Sequence, residues 1–115
     1  MAAEASDLKL SMLLIDQLFT VQNLQLSRQT GCEEIVTVWP RTRQRLQERV
    51  AAAASCGLRV GVVEGYGSDD LPLEPIIHGL EGRDAAIEEI KQRIAWMGAS
   101  GVSCLCYNWC VCHAF

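Results

Sequence analysis

Hydrophobic residues in this chain occur in two patterns, short near-continuous runs and longer stretches in which they recur every three or four positions. The run Leu8-Lys-Leu-Ser-Met-Leu-Leu-Ile15, closed by Asp16 and Gln17, predicts a buried strand, because it is too short for a helix. A helix is predicted from Thr20 to Gln29, with Val21 and Leu24 on one side and Gly31 as its stop. Ile35-Val-Thr-Val-Trp39 is β-branched and aromatic, hence a second strand, and Pro40 ends its ladder. Thr42 is placed to cap a helix from Arg43 to Cys56 in which Leu46, Val50, Ala53 and Ala54 repeat at helical spacing. Arg59-Val-Gly-Val-Val-Glu64 is a third strand, apolar until a carboxylate appears at its end. Gly65 to Gly82 is rich in Gly, Ser, Asp and Pro and predicts one long irregular stretch, a length associated with lids and binding loops. The stripe Ile87, Ile90, Ile94 and Met97 marks a helix from Arg83 to Met97 and predicts a core-facing side. Val102 to Trp109 follows as a fourth strand.

The order β-α-β-α-β-loop-α-β implies right-handed crossovers and a parallel α/β sheet. Ligands of such sheets bind beyond the carboxyl ends of the strands. Asp16, Trp39, Glu64 with Tyr66, and Tyr107 with Asn108 and Trp109 fall there, polar or aromatic groups after apolar interiors. Glu64 is either a pocket group or a solvated strand end, since a carboxylate after four apolar positions is costly to bury unpaired. His78 in the long loop could hydrogen-bond an anionic substrate or simply face water. Arg83 and Asp84 read as a helix-start pair before they read as a ligand clamp. Arg41, Arg43, Arg45 and Arg49 crowd one helix start, but Glu48 is interleaved and a solvated face accounts for them better than a phosphate site.

Composition narrows the class. The 115 residues carry 10 Lys and Arg against 14 Asp and Glu, a net charge of −4, and half are hydrophobic. That balance suits a core-forming domain and disfavours disorder or a nucleic-acid partner. No stretch approaches the ~20 apolar residues of a membrane span, and the acidic start Met1 to Asp7 is unlike a signal peptide, so a cytoplasmic protein with no membrane partner is expected. Six cysteines are then expected as reduced thiols. Cys104 and Cys106 share one strand face, where burial as small hydrophobes is expected over metal binding, because C-x-C on a strand lacks the usual zinc-knuckle spacing. Cys110, Cys112 and His113 follow in the last residues.

Several segments together, Val62-Val-Glu-Gly-Tyr66, Glu74-Pro-Ile-Ile-His-Gly-Leu80, Gly82-Arg-Asp84, Ile87, Ile90-Lys91, Met97-Gly98 and Leu105-Cys-Tyr-Asn-Trp109, resemble the amino-terminal part of the D-mannonate dehydratases. Ile35-Val-Thr37 with Trp39-Pro40 resembles the second strand of the same family, which belongs to the xylose-isomerase-like TIM barrels. The resemblance covers about Leu8 to Trp109. It implies an incomplete (β/α)8 barrel, its first four parallel strands with three connecting helices, since a whole barrel takes about 250 residues. It also implies dehydration of D-mannonate to 2-keto-3-deoxy-D-gluconate in hexuronate and glucuronate breakdown, with Mn2+ or Fe2+ in the full-length enzyme. The family's metal ligands lie on later strands, so no metal is expected on this chain alone. The positions that carry over are substrate-pocket residues: Glu64, Tyr66, His78, Arg83, Tyr107, Asn108 and Trp109.

Two departures stand out. Where the family continues from its fourth strand into Met-Pro-Val, this chain reads Cys110-Val-Cys-His-Ala-Phe115, and Ser68-Asp69-Asp70 reads as a small insertion. The expected organisation is a flexible terminus over 1–7, a half-barrel over 8–109 and a divergent tail over 110–115. Such a chain is expected to be a truncated piece, inactive alone, and able to form a homo-oligomer through its unpaired strand edges. A sugar isomerase or epimerase of the same superfamily, or a non-enzymatic metal-binding or interaction half-barrel, are the alternatives, because kinship in fold does not fix the reaction.

Overall fold

In the computed structural model, residues 8–65 and 71–107 are described. The sheet holds four parallel strands in the order β1-β2-β3-β4: β1 Ser11–Leu14, β2 Glu34–Val38, β3 Arg59–Glu64 and β4 Cys104–Cys106. Helix α1, Val21–Gln29, links β1 to β2, and α2, Arg43–Ser55, links β2 to β3. Both start on threonine caps, Thr42 as the sequence predicts and Thr20 where the sequence reading begins the helix itself. Thr20 accepts the Asn23 amide at 3.2 Å and Thr42 the Arg45 amide at 3.1 Å, each satisfying a donor that the first helical turn leaves free. Between β3 and β4 lie α3, Glu74–His78, and α4, Arg83–Ala99. The sequence reading placed α3 in an irregular stretch. Its Pro75 sits in the first turn, where proline is tolerated, and Gly79 closes it at φ 63°. A single 3-10 turn, Asp16–Leu18, follows β1.

Every crossover leads to the next strand in the same direction, and right-handed connections of that kind put their helices on one face of the sheet. Burial agrees. Ile35, Thr37, Val60 and Val63 are fully buried or nearly so, and Ile35, Val60 and Val63 share one core cluster with Leu24 of α1, Leu46 and Ala53 of α2 and Met97 of α4. The other face carries the register row Leu13, Val36, Val62 and Cys104, half-buried in the first three and exposed in the last. Parallel sheets are ordinarily covered on both sides, so this one-sided layering is incomplete among the described residues.

Two expectations about burial are corrected here. Ile87 and Ile94 are 37% and 47% exposed, while Ile90 is half-buried and only Met97 of that stripe is fully in the core. α4 packs on α3 and α2 beside a three-residue edge strand, so the outer side of its stripe has nothing to lie against. Cys104 and Cys106 are exposed, because they share the uncovered face while Leu105 points into the core. The terminal strands are also shorter than predicted. Leu8 and Leu10 lie exposed ahead of β1, and β4 ends at Cys106.

On the uncovered face, at the amino end of the sheet, Glu34 accepts a hydrogen bond from Arg59 and pairs with Lys9 at 3.4 Å. Its carboxylate lies where a Cβ on Gly61 would be, so the glycine makes room for it. The register slips by one residue between Ile35 and Val36, leaving Gly61 as the extra residue of β3, and Val60 and Val63 therefore both face the helices. Gly61→Ala should force the Glu34 carboxylate out of its pairing, at about 1–2 kcal/mol in chemical denaturation. The same change should cost markedly less in a Glu34→Ala background, and equal costs in both would refute the coupling. The Arg59 hydrogen bond, against desolvation and with help from the Arg59 and Lys9 charges, holds the Glu34 carboxyl below its ordinary 4.5. A folded-state value below the unfolded one adds stability above the unfolded value, and that stability is lost as pH falls through the folded value. Wild-type stability should therefore drop on acidification below about 4.5, more steeply than in Glu34→Gln.

Candidate functional site at the carboxyl ends of the strands

Glu64 ends β3, half-buried, and its carbonyl accepts the Trp39 amide at 3.1 Å. Gly65 donates its amide to the Cys106 carbonyl at 2.9 Å, so the exits of β3 and β4 stay in step and Tyr107 emerges one residue beyond the partner of Glu64. A Cβ on Gly65 would come within 2.8 Å of Leu71 Cδ1, so a larger residue at this exit would have to displace the Leu71 side chain. Tyr107, 54% exposed, lines a pocket of about 220 Å³ with Leu71, Leu73, Ile90, Ile94 and Leu105. One phenol at the rim of an otherwise aliphatic pocket is a site with an apolar floor and a polar lip.

Glu64 and Tyr107 are thus brought to neighbouring strand ends. His78 ends α3, exposed, and Arg83 opens α4, where its Nε donates to Asp84 at 3.0 Å. Arg83 borders a separate depression of about 430 Å³ formed by Gly79 to Ala85. Among the described residues neither lines the pocket of Tyr107. Tyr66, Asn108 and Trp109, and with them Ser68 to Asp70, Cys110, Cys112 and His113, lie outside the described residues, as do the expected terminus 1–7 and tail 110–115. Trp39, expected at the mouth, is instead 3% exposed in the core, with the Arg93 guanidinium 5.7 Å from its ring.

The most buried charged group at this end of the sheet is one the sequence reading left among solvated arginines. Arg41, Arg43 and Arg45 are exposed, whereas Arg49 is 3% exposed. Arg49 Nη1 donates to Thr37 Oγ1 at 2.7 Å and to the Val38 carbonyl at 2.8 Å, its Nη2 pairs with Asp16, and its guanidinium stacks 5.2 Å from the Phe19 ring. Burial pushes its pKa down from the ordinary value, but a guanidinium stays charged at any physiological pH. Its place on the helix carried a signal, for it falls three residues after Leu46 and four before Ala53, on the buried stripe. The same arginine contributes to a pocket of about 290 Å³ with Asp16, Pro40, Arg41, Thr42 and Arg45.

Among the described residues no three His, Cys, Asp or Glu side chains converge, so the donors present do not make a divalent-metal site. The polar lip can instead accept and donate hydrogen bonds to hydroxyl-rich ligands. The family model for D-mannonate dehydratase (UxuA) matches residues 20–114. The chain belongs to that family. No curated protein and no solved structure matches it. The UxuA match leaves out β1 and runs from the cap of α1 past β4, so it contains Glu64, Tyr66, His78, Arg83, Tyr107, Asn108 and Trp109, and it extends through residue 114. Among the described residues no helix is long and apolar enough to cross a membrane.

Arg49 ties the turn after β1, the end of β2 and α2 into one unit. Arg49→Ala should destabilise the fold by about 3 kcal/mol, because it strands the Thr37 hydroxyl and the Val38 carbonyl without partners. Arg49→Lys should recover only part, having no planar fork to serve three acceptors at once. Unfolding midpoints within error of wild type for both would refute the clamp.

Proposed function

We propose that this chain forms part of the substrate wall of a carbohydrate hydro-lyase, at the carboxyl ends of the first four strands of a (β/α)8 barrel. The observation that carries this reading is the UxuA match over residues 20–114, which includes every polar strand-exit residue from Glu64 onward. Four neighbouring parallel strands wound in one direction with their helices on one face are what half of such a barrel requires. The substrate class is a sugar acid, with D-mannonate the specific candidate, and the wall comprises Glu64, Tyr66, His78, Arg83, Tyr107, Asn108 and Trp109. The reaction is loss of water to give 2-keto-3-deoxy-D-gluconate, a step in hexuronate and glucuronate breakdown. The proton next to the carboxylate leaves, the hydroxyl on the adjoining carbon departs with a proton as water, and the resulting enol rearranges to the ketone.

In this reading Glu64 accepts hydrogen bonds from sugar hydroxyls, Tyr107 offers its phenol from the neighbouring strand exit, and Arg83 or His78 meets the carboxylate. The Mn2+ or Fe2+ that the family implies finds no ligand set among the described residues, and no step is assigned through it. We assign to the chain the role of a binding wall without turnover of its own.

Binding tests this directly. D-mannonate at millimolar concentration should perturb the amide signals of Glu64, Gly65 and Tyr107 in nuclear magnetic resonance spectra, and Glu64→Gln should weaken binding by about fivefold. Unmoved signals at the strand exits would overturn the sugar-acid reading. Release of 2-keto acid from D-mannonate and Mn2+ by the 115-residue chain would overturn the assignment of a wall without turnover.

A further inference from the structure

The fold sorts the four arginines that crowd the start of α2. Arg41, Arg45 and Arg49 line one pocket of about 290 Å³ with Asp16, Pro40 and Thr42, and Arg43 is not among its walls. In a chain of net charge −4 this is a local reversal of sign. Three guanidiniums meet the Asp16 carboxylate inside the pocket, and Glu48 lies 3.5 Å from Arg45 outside it. The pocket lies at the exits of β1 and β2 and shares no lining residue with the Tyr107 pocket beside β4.

Its floor is a buried cation with a donor to spare. Arg49 is 3% exposed, and its Nε has no hydrogen-bond partner among the described residues. Asp16, paired with the same guanidinium, is 64% exposed on the 3-10 turn, so an incoming anion can take its place there. The rim is equally unspent. Arg41 makes no ion pair among the described residues, and the pair of Arg45 with Glu48 is half-exposed, hence weak. Thr42 serves the Arg45 amide and leaves those of Arg43 and Gln44 without acceptors, at the positive end of a 13-residue helix.

The geometry points to an anion site at the head of α2 that takes a phosphate dianion, free or carried on a small organic group. A carboxylate brings one charge and two oxygens, too few for three guanidiniums and two free amides. A phosphate brings nearly two charges and at least three acceptor oxygens, which guanidinium forks and helix amides suit. A ligand held there would join the turn after β1 to the head of α2, the segments that Arg49 already ties, so occupancy should stabilise the fold. The assignment stands apart from the sugar-acid reading, which concerns Glu64 and Tyr107.

Titration of the 115-residue chain with inorganic phosphate or glycerol 3-phosphate should shift the amide signals of Arg43, Gln44 and Arg45 with millimolar affinity, and raise the unfolding temperature. Tighter binding of the ester names an organic phosphate as the ligand, tighter binding of the free ion names phosphate itself, and both support the site. Arg41→Ala and Arg45→Ala should each weaken binding about fivefold, and Asp16→Asn should tighten it. Arg43→Ala removes the same charge from the same turn outside the pocket, and should change affinity less than about twofold. All four side chains are exposed, so the variants should fold, as their unfolding temperatures without ligand will check. Equal weakening by Arg43→Ala would reduce the site to diffuse attraction and overturn it, as would unmoved amides at tens of millimolar phosphate. D-mannonate shifting these amides as strongly as phosphate would overturn the dianion assignment, while the sugar-acid reading is decided separately at Glu64, Gly65 and Tyr107.

Discussion

A parallel strand must be reached by a crossover, and when each crossover moves one strand further in the same direction the helices all fall on one side. The rest of this structure follows from that constraint. It puts Leu24, Leu46, Ala53 and Met97 into a single core with Ile35, Val60 and Val63, and it leaves the opposite face without a helical layer among the described residues. It also separates the chemistry, since turns at the amino ends of the strands serve stability and exits at the carboxyl ends are free to carry ligand groups.

The two ends of the sheet are fastened by different means. At the amino end Glu34 is held by Arg59, whose side chain is more than half exposed, and by Lys9, so part of that attraction is screened by water and salt. At the carboxyl end Arg49 is nearly sealed off and meets a hydroxyl, a carbonyl and a carboxylate at once. Removing one partner from so dry a site costs the desolvation of the groups left behind, which outweighs the loss of a half-exposed pair. The clamp lies directly beneath the loops that a ligand would meet. Rigidity at the mouth is therefore supplied from the helical layer.

Much of this was legible in the sequence because it is local. Thr42 caps its helix where the polar-to-apolar switch puts it, β3 runs from Arg59 to Glu64 as its composition says, and the strand order follows from alternation. What was not legible depends on neighbours that periodicity does not reveal. The Ile87 and Ile94 stripe tells which side of α4 is apolar, but not that the sheet stops short beneath it. Cys104 and Cys106 were correctly put on one face, whose exposure follows from the direction of winding. Arg49 was hidden by three exposed arginines close by, although its register with Leu46 and Ala53 set it apart. Of the candidate site, Glu64 and Tyr107 were readable because strand ends in register must be neighbours, whereas the placement of His78 and Arg83 depends on a connection that contains an unexpected helix.

The apolar groove beside Tyr107 and the exposure of Ile94 have one cause, since both lie at or beyond the last described strand. A site built from strand exits needs walls on every side of the mouth, and four strands in one curved layer supply only one side. Substrate held by Glu64 and Tyr107 would remain open to water across the sheet, where hydrogen bonds to its hydroxyls compete with solvent and contribute little net affinity. Covering the bare face changes both quantities together. It buries Leu13, Val36 and Val62, which stabilises the sheet, and it lowers the dielectric around the exit residues, which strengthens each polar contact they make. In the proposed reading, fold stability and ligand affinity are thus coupled through one surface.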